Sequence, residues 1–352
     1  NDLLEVTVEV LNRNLEIPIF LESISYKSDK IENISYDILL ENNVKQQFKK
    51  TLNLEKLSYS DPYWLQTEGS LGMYNVNKRT LIGKPETPRK AVVFFNLLID
   101  TTQLTIKKNI IHRYSKRDQG ELYDPFEIVP LVTTKLNDKV LLFSDANEQT
   151  VNVGVRSGAN NIKGKLFLKV PKGWKVSPTF IDIEIKEKGD TQAYQFLITP
   201  TIDDSEGTIK SSVIVDGEKF DKELIEIKYD HIPKQTVLKK SEAKVVRLNI
   251  RKAGNFIGYI KGAGDLIPES LKQIGYSVVM INPEDITTEH LKKFDAIVLG
   301  IRAYNTLPIL KYKQKFLLEY VKNGGNMVVQ YNTSRRVDVA APFKLNLSRD
   351  RV

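Results

Sequence analysis

Apolar and polar residues alternate along much of the first third of the chain, which is typical of strands that bury one face. The alternation is clearest over 4–11, and a second alternating segment follows at 17–26. Further strands are predicted at 34–40, 48–54, 91–99 and 104–114. Residues 1–130 are therefore predicted to form a β-sandwich domain with one long loop over 61–89.

Seven short, evenly spaced strands are predicted next. They cover 140–144, 150–156, 165–170, 180–186, 192–199, 208–215 and 224–229. Turn-forming glycine, asparagine and aspartate residues separate them, a spacing typical of an immunoglobulin-like sandwich, which we predict for 135–229. The basic segment 230–253, interrupted by Pro233, is predicted to be a linker, with one further strand possible at 244–250.

Strands then alternate with short amphipathic helices. The first strand covers 256–260, and the helix after it ends before Gly275, a residue type that favours a helix C-terminus. Later strands are predicted at 276–281, 295–300 and 327–331. Such alternation predicts a mostly parallel sheet of flavodoxin-like type, here a partial α/β domain over 254–352. The predicted fold class is thus multidomain, with two all-β immunoglobulin-like sandwiches followed by this domain.

Composition narrows the functional classes. The 352 residues are 41% hydrophobic and 27% charged, and the net charge is +8. Acidic residues are interspersed with the basic ones, which favours a solvated surface over a nucleic-acid footprint. No run is long and apolar enough to predict a membrane span. The absence of cysteine excludes disulfides and thiolate nucleophiles in this sequence. No initiator methionine or signal peptide is recognisable, so we expect an internal piece of a longer protein.

Ligands of open α/β sheets bind beyond the carboxyl ends of the strands, so candidate pocket residues follow from the predicted strand ends. They are Gly262, Gly264, Asp265, Arg302, Tyr304, Asn305, Tyr331 and Asn332. An alternative, which we favour at this stage, is that these groups cap helices and satisfy loop backbone. The glycines do not complete a dinucleotide-binding fingerprint, because Ile267 stands where a third glycine is needed.

The remaining candidate functional residues are histidines and tryptophans that are isolated in the sequence. His112, His231 and His290 occur in no metal-binding or triad spacing, so no metal site is predicted. Trp64 and Trp174 are candidate platforms for stacking on a sugar ring. Both are more often found as hydrophobic anchors, under a long loop or in a sandwich core.

Several motifs together resemble a known family. They are GYIKGAGD at 258–265, QIGY at 273–276, FDAIV at 294–298, RAYN at 302–305, YVKNGG at 320–325 and VVQYNT at 328–333. These resemble the C-terminal part of the large PIG-L (LmbE-like) deacetylases of Bacteroidetes. Three earlier motifs are similar to the middle of the same proteins. These are DPYWL at 61–65, LIGKPE at 81–86 and PFEIVP at 125–130. The sandwich that carries GWKVSP at 173–178 resembles the NEW3 module of carbohydrate-active enzymes.

The resemblance implies a catalytic domain that precedes this region and holds zinc through a His-Pro-Asp-Asp-Glu type motif. No such motif occurs here, so zinc is implied only for that other domain, and no cofactor is expected in this one. The last domain also resembles class I glutamine amidotransferases, whose nucleophile is a cysteine. Asn332 stands near that position, and a carboxamide has no ionisable group to act as a nucleophile, which indicates a degenerate, non-catalytic copy with a vestigial pocket.

We therefore expect a non-catalytic accessory region of a deacetylase-like protein. The resemblance implies export to the periplasm or cell surface, and we expect it to scaffold or dock a protein partner in a cell-envelope assembly. Two alternatives remain open. One is that the parent protein is a zinc-dependent N-acetylglucosaminyl deacetylase, and the other is that the sandwiches bind carbohydrate.

Overall fold

The computed structural model describes residues 3–54 and 57–333. Strands make up 50% of the structure and helices 10%, which confirms the coarse prediction of a mostly β chain with a parallel sheet near its C-terminus. Residues 334–352 of the predicted α/β domain lie outside the described residues. In the part described, no helix combines the length and apolar character needed to cross a bilayer.

The elements of the first third are as follows. Strands are β1 Leu3–Leu11, β2 Ile19–Lys27, β3 Ile31–Leu39, β4 Lys45–Asn53, β5 Val92–Ile99, β6 Thr102–Asn109, β7 Ile111–Lys116 and β8 Gly120–Pro125, and a short 3-10 helix covers Arg79–Leu81. An antiparallel β1-β4 ribbon packs on a four-stranded antiparallel sheet in the order β3-β2-β5-β6. Alternation in β1 buries Val6 and Val8 in the shared core, while β7 and β8 form a separate hairpin.

Two larger sheets enclose the core of the next segment. Its strands are β9 Val132–Leu136, β10 Val140–Phe143, β11 Gln149–Ser157, β12 Ile162–Lys169, β13 Lys175–Ser177, β14 Ile181–Ile185, β15 Thr191–Thr199, β16 Ser205–Val215, β17 Glu218–Phe220, β18 Lys222–Tyr229, β19 Ile232–Lys240 and β20 Glu242–Arg247. One sheet has the order β13-β15-β11-β9 and the other β10-β20-β16-β12-β14, with β17 paired to β16. Their inner faces share one continuous apolar core.

The segment 230–253 differs from the expected linker. β19 pairs with β18 along almost its whole length, and β20 lies inside the larger sheet between β10 and β16. The reason is a short alternation in which Ala243, Val245 and Arg247 turn inward, while Lys244 is exposed and Val246 is partly buried. This pattern was obscured by the high charge of the segment.

A four-stranded sheet forms the final described part. Its elements are β21 Phe256–Ile260, α1 Ile267–Gln273, β22 Ser277–Met280, a 3-10 helix Pro283–Asp285, α2 Thr288–Leu291, β23 Ala296–Leu299, α3 Ala303–Thr306, α4 Leu310–Lys322 and β24 Asn326–Val329. All three pairings are parallel, in the order β22-β21-β23-β24. Gly275 and Gly324 lie two residues beyond the ends of α1 and α4, both at φ +93°, where a side chain would be strained.

Candidate functional site

The predicted pocket residues lie around the carboxyl ends of β21 and β23. These two strands are neighbours in the sheet although β22 comes between them in sequence, so the edge they share is the point where strand order reverses. The backbone segments after the two strands pack closely at this edge, since a Cβ at Gly262 would stand 2.1 Å from the carbonyl oxygen of Ile301. The amide of Ala263 donates to the same oxygen at 2.7 Å. Glycine is therefore required at position 262 by close backbone packing.

The carboxylate of Asp265 is engaged in hydrogen bonds within the protein. It accepts from the Tyr259 hydroxyl at 2.6 Å and from the amides of Ile267 at 3.0 Å and Ile301 at 3.2 Å. Burial would raise the pKa of this carboxyl, but the donated hydrogen bonds outweigh it and hold the pKa below its usual value. The carboxylate therefore ties the loop after β21 to the end of β23.

Tyr259 and Gln330 complete this network, and the sequence analysis missed both. The Gln330 side-chain amide donates to the Tyr259 hydroxyl at 2.9 Å. Burial raises the pKa of Tyr259, and its hydrogen bond to Asp265 adds to the shift, so the phenol stays protonated as the donor. The signal was a hydroxyl-bearing tyrosine in a strand without other polar side chains, six residues before an aspartate.

The amide side chains at this edge join the last strand to α3. Asn332 accepts from the backbone amide of Tyr304 at 3.2 Å and donates to the carbonyl of Gln330 at 2.8 Å. Asn305 accepts from the amide of Thr333 at 2.9 Å and donates to its carbonyl at 3.1 Å. Asn332, predicted near the position of a lost nucleophile, thus acts as a cap for α3.

The remaining candidates at the edge divide between core and surface. Tyr304 is buried, donates to the Gln314 side chain at 2.7 Å, and has its pKa raised by burial. Arg302 takes a left-handed conformation at φ +58°, with its backbone amide donating to the carbonyl of Tyr331 at 2.7 Å. Gly264, Arg302 and Tyr331 expose their surfaces to solvent. The edge combines a tightly bonded interior with three exposed positions.

The long loop of the first sandwich is anchored by polar contacts at its two ends. Arg89 pairs with Glu127 and with Glu86, the latter at 3.1 Å, and the side chains of Arg89 and Glu127 are largely shielded from solvent. The backbone amide of Tyr63 donates to the Thr87 hydroxyl at 2.9 Å. These contacts fix both ends of the loop against each other.

Two further ionisable groups hold the base of the loop. Lys90 donates to the backbone carbonyls of Ser58 and Tyr59, each at 2.8 Å, and burial lowers its pKa. Asp61 accepts from the amide of Leu238 in β19 at 3.1 Å, and burial raises its pKa more than this hydrogen bond lowers it. The loop is therefore fastened to the second sandwich as well as to its own.

The outer half of the loop forms an open cavity of about 860 Å³, which we call the loop pocket. Its main lining residues are Tyr63, Trp64, Met73, Tyr74, Arg79 and Ile82. Met73 and Tyr74 are each 67% exposed and Ile82 is 63% exposed. Large apolar side chains are thus presented together to solvent on an anchored loop.

The two tryptophans have different environments. Trp64 is half-buried, lines the loop pocket and packs edge-on against Tyr63 with ring centroids 4.8 Å apart. Trp174 is only 6% exposed, packs edge-on against Phe143 at 5.0 Å and donates to the Ser205 hydroxyl at 3.2 Å. Burial in the core of the second sandwich removes Trp174 as an exposed platform, which corrects that candidate and leaves Trp64.

The three histidines stay apart in the fold. His112 stacks on Tyr114, His231 lies near Tyr229, and His290 contacts the carbonyl of Asp285 through Nδ1 at 2.9 Å. Across residues 3–54 and 57–333, no group of three or more histidine, cysteine, aspartate or glutamate side chains is arranged to hold a metal ion.

Comparison with known proteins adds two distant structural likenesses. No family model and no curated protein matches the chain. Among solved structures, WR4, a C. elegans MSP family member, is 9% identical with a TM-score of 0.19, over 34% of this chain and 98% of that one. A family 123 glycoside hydrolase from Clostridium perfringens is 8% identical with a TM-score of 0.19, over 57% of this chain and 48% of that one. Similarity at this level carries no argument about function.

Proposed function

We propose that this chain is a docking region that binds a protein partner through the loop pocket. The observation that carries the proposal is the group of exposed apolar side chains on the outer half of the loop, with Leu71, Met73, Tyr74 and Ile82 all more than 60% exposed. Contiguous exposed apolar surface marks interaction sites, because leaving it in water is unfavourable.

The anchoring of the loop supports this proposal. A flexible loop would lose conformational entropy on binding, whereas ion pairs of Arg89 and hydrogen bonds of Tyr63 already restrict this one. Tyr74 and Trp64 belong to the residue types that contribute most to protein interfaces. A partner can therefore bury the pocket at a low ordering cost.

The wider setting of the proposal comes from the sequence motifs. We propose that the two sandwiches are immunoglobulin-like and the last domain flavodoxin-like, the latter supported by its strand order. The motif resemblance further supports an accessory region of an exported PIG-L deacetylase-like protein, docked in a cell-envelope assembly. Zinc-dependent deacetylation by the parent protein stays a prediction about a domain outside this chain.

The proposal is tested with the double variant Met73→Ser and Tyr74→Ser. The protein is purified from its native host, and co-purifying proteins are quantified by mass spectrometry for wild type and variant. We expect at least one stoichiometric partner to fall about tenfold or more, the loss of about 1.4 kcal/mol of binding energy. The matched control is Tyr312→Ser with Val328→Ser, two exposed apolar residues of the α/β domain. A partner lost equally from both variants, or from neither, would contradict the proposal.

A second candidate is carbohydrate binding in the same pocket, favoured by the position of Trp64. The pocket combines this indole with Tyr74 and the side-chain amides of Asn75 and Asn77, the groups that stack on and hydrogen-bond to sugars. With Trp174 shielded in the core, any fluorescence change on adding N-acetylglucosamine oligomers must come from Trp64. A saturable change that disappears in Trp64→Phe would support sugar binding, and no change at millimolar sugar would exclude it.

A further inference from the structure

A second open surface lies on the first sandwich. It is a groove of about 1730 Å³ that runs along residues 4–11 of β1. Residues 4–11 of β1 form one wall, and residues 109–113 also line the groove. Phe220 and Leu224 of the second sandwich contribute to its lining as well. We call it the strand groove. It shares no lining residue with the loop pocket.

The wall formed by β1 is an unpaired strand edge. β1 is hydrogen-bonded in register to β4 on one side, from Leu3 with Asn53 to Leu11 with Lys45. Its other side makes no backbone pairing with any described strand. A bare edge of this length presents a row of free N–H and C=O groups, which is a template for another strand. The eight residues of β1 that line the groove therefore offer a pairing surface, through the N–H and C=O groups of every second residue.

The floor of the groove is mainly apolar, with Lys108 as its charged residue. It consists of the inward-facing residues of β5 and β6, with Phe95 directly opposite Ile106 and Val93 opposite Lys108. Ile106 is still 36% exposed, although it lies on the inner face of the sheet. The cause is the unequal size of the two layers, since the two-stranded β1-β4 ribbon covers only part of a four-stranded sheet. A further strand beside β1 would cover this floor.

The charges beside the groove favour basic side chains on the outer face of an added strand. Glu5 and Glu9 lie on the outer face of β1, where Oε1 of each contacts a lysine of β4, Lys49 at 3.6 Å and Lys45 at 3.3 Å. Within residues 3–54 and 57–333 the hydrogen bonds and ion pairs of both glutamates use Oε1, and Arg113, which also lines the groove, adds only a longer-range attraction to Glu9. Basic residues on the incoming strand would complete these pairs from the open side.

The same charges disfavour a second copy of the chain as the occupant. Two β1 strands paired antiparallel about Thr7 would place Glu5 of one copy opposite Glu9 of the other. Like charges directly opposite each other destabilise a sheet. The acidic rim therefore favours a different strand over a symmetric dimer.

We propose that the strand groove binds an extended peptide segment of a partner protein, which adds to β1 as a further strand. Its apolar residues, at every second position, would face Phe95 and Ile106, and its lysine or arginine residues would face outward beside Glu5 and Glu9. Eight residues, about 26 Å of extended chain, match the length of the β1 wall. Main-chain hydrogen bonds supply affinity in such complexes, and the alternating side chains supply specificity.

The probe is a synthetic nine-residue peptide of alternating valine and lysine, and the control peptide carries glutamate in place of lysine. Binding is measured by fluorescence anisotropy on the intact chain. We expect the lysine peptide to bind at least about tenfold more tightly than the glutamate peptide. We also expect amide hydrogen exchange in 4–11 to slow by about tenfold or more at saturation, because the free edge becomes hydrogen-bonded.

Two variants separate strand addition from general attraction of a basic peptide. Glu5→Lys with Glu9→Lys should reverse the preference between the peptides, whereas Glu16→Lys with Glu41→Lys, which changes net charge equally at exposed positions away from the groove, should not. Ile106→Asp should weaken binding of the lysine peptide, and unchanged hydrogen exchange in β2 will show that the sandwich remains folded.

Three results would overturn the proposal. They are equal binding of both peptides, binding without protection of 4–11, and a concentration-dependent dimer that protects the same residues in the absence of peptide. Because the loop-pocket variants leave the groove intact, failure here and failure of the proposed docking function are distinguishable.

Discussion

The carboxyl edge of the parallel sheet and the exposed surfaces of the first sandwich have opposite chemistry. At the sheet edge, polar groups such as Asp265, Asn305 and Asn332 are bonded to each other or to nearby backbone. On the first sandwich, Tyr74 and Ile106 present apolar surface that nothing in the described chain covers fully. Convergent polar residues in a sequence therefore mark a binding site only if the fold leaves their hydrogen-bonding groups free.

The energetic reason is that a satisfied network has little to offer a ligand. A ligand that bonded to Asp265 would have to displace the Tyr259 hydroxyl or a backbone amide, and leaving such a group unpaired costs about 1–3 kcal/mol. Covering an exposed apolar side chain gains roughly 25 cal/mol for each Å² removed from water. Binding is thus favoured at the first sandwich and opposed in the interior of the sheet edge.

The largest expected effect tests whether the sheet edge is a structural unit. Gly262→Ala should destabilise the parallel sheet by about 3 kcal/mol, since the new Cβ would overlap the Ile301 carbonyl, which is backbone and cannot rotate away. Hydrogen exchange in β21 and β23 measures the loss. Gly154→Ala, where the nearest atoms lie 3.8 Å from the added carbon, is the control. Unchanged exchange in the Gly262 variant would mean that this edge is open.

A smaller effect is expected for Asp265→Asn, and it should depend on pH. The folded carboxyl has a lowered pKa, so its stabilisation is present above the unfolded value of about 3.9 and is lost as pH falls through the folded value. We expect the variant to be less stable by about 1–2 kcal/mol at pH 7 and the difference to shrink below pH ~4.

Urea unfolding, followed by hydrogen exchange in the parallel sheet, measures this difference at each pH. Asp118→Asn, at an exposed position in the turn between β7 and β8, is the matched control and should leave the stability of the parallel sheet unchanged. A difference that stays constant from pH 7 to pH 3 would show that the charge of Asp265 does not hold the loop.

The smallest effect on stability is expected at the loop pocket. Met73→Ser with Tyr74→Ser should change the free energy of unfolding by less than about 0.5 kcal/mol per site, because both side chains are mostly in water. Thermal unfolding followed by the fluorescence of the two tryptophans measures it. A loss of several kcal/mol would show that these residues fold the loop, so that reduced partner binding would no longer identify a docking surface.

Alternating patterns predicted the strands of the first sandwich and the order of elements in the parallel sheet, because both depend on local burial periodicity. A strand at 244–250 was offered only as an addition to a linker, and the place of β20 inside the larger sheet was missed, since Ala243, Val245 and Arg247 form a short pattern among charged residues. Trp174 could not be assigned to the core or to the surface without its neighbours.

The two open surfaces depend on contacts between distant parts of the chain. The strand groove exists because the two-stranded β1-β4 ribbon covers only part of the four-stranded sheet. The loop pocket exists because contacts such as the ion pair between Arg89 and Glu127 hold the loop in place. Sequence periodicity reports which residues turn inward but does not report how much of an inner face the opposite layer covers. The candidate residues at the sheet edge were named from their position, and only their hydrogen bonds show how they are used.

If partners bind the first sandwich rather than the parallel sheet edge, crosslinking from two equally exposed tyrosines will show it directly. Tyr74 in the loop pocket and Tyr331 at the sheet edge are each 67% exposed. A photo-crosslinking phenylalanine analogue is placed at each position in turn, and crosslinked products from the native host are identified. We expect a defined protein adduct from position 74 and none from position 331. An adduct from position 331 alone, or the same adduct from both, would contradict this expectation.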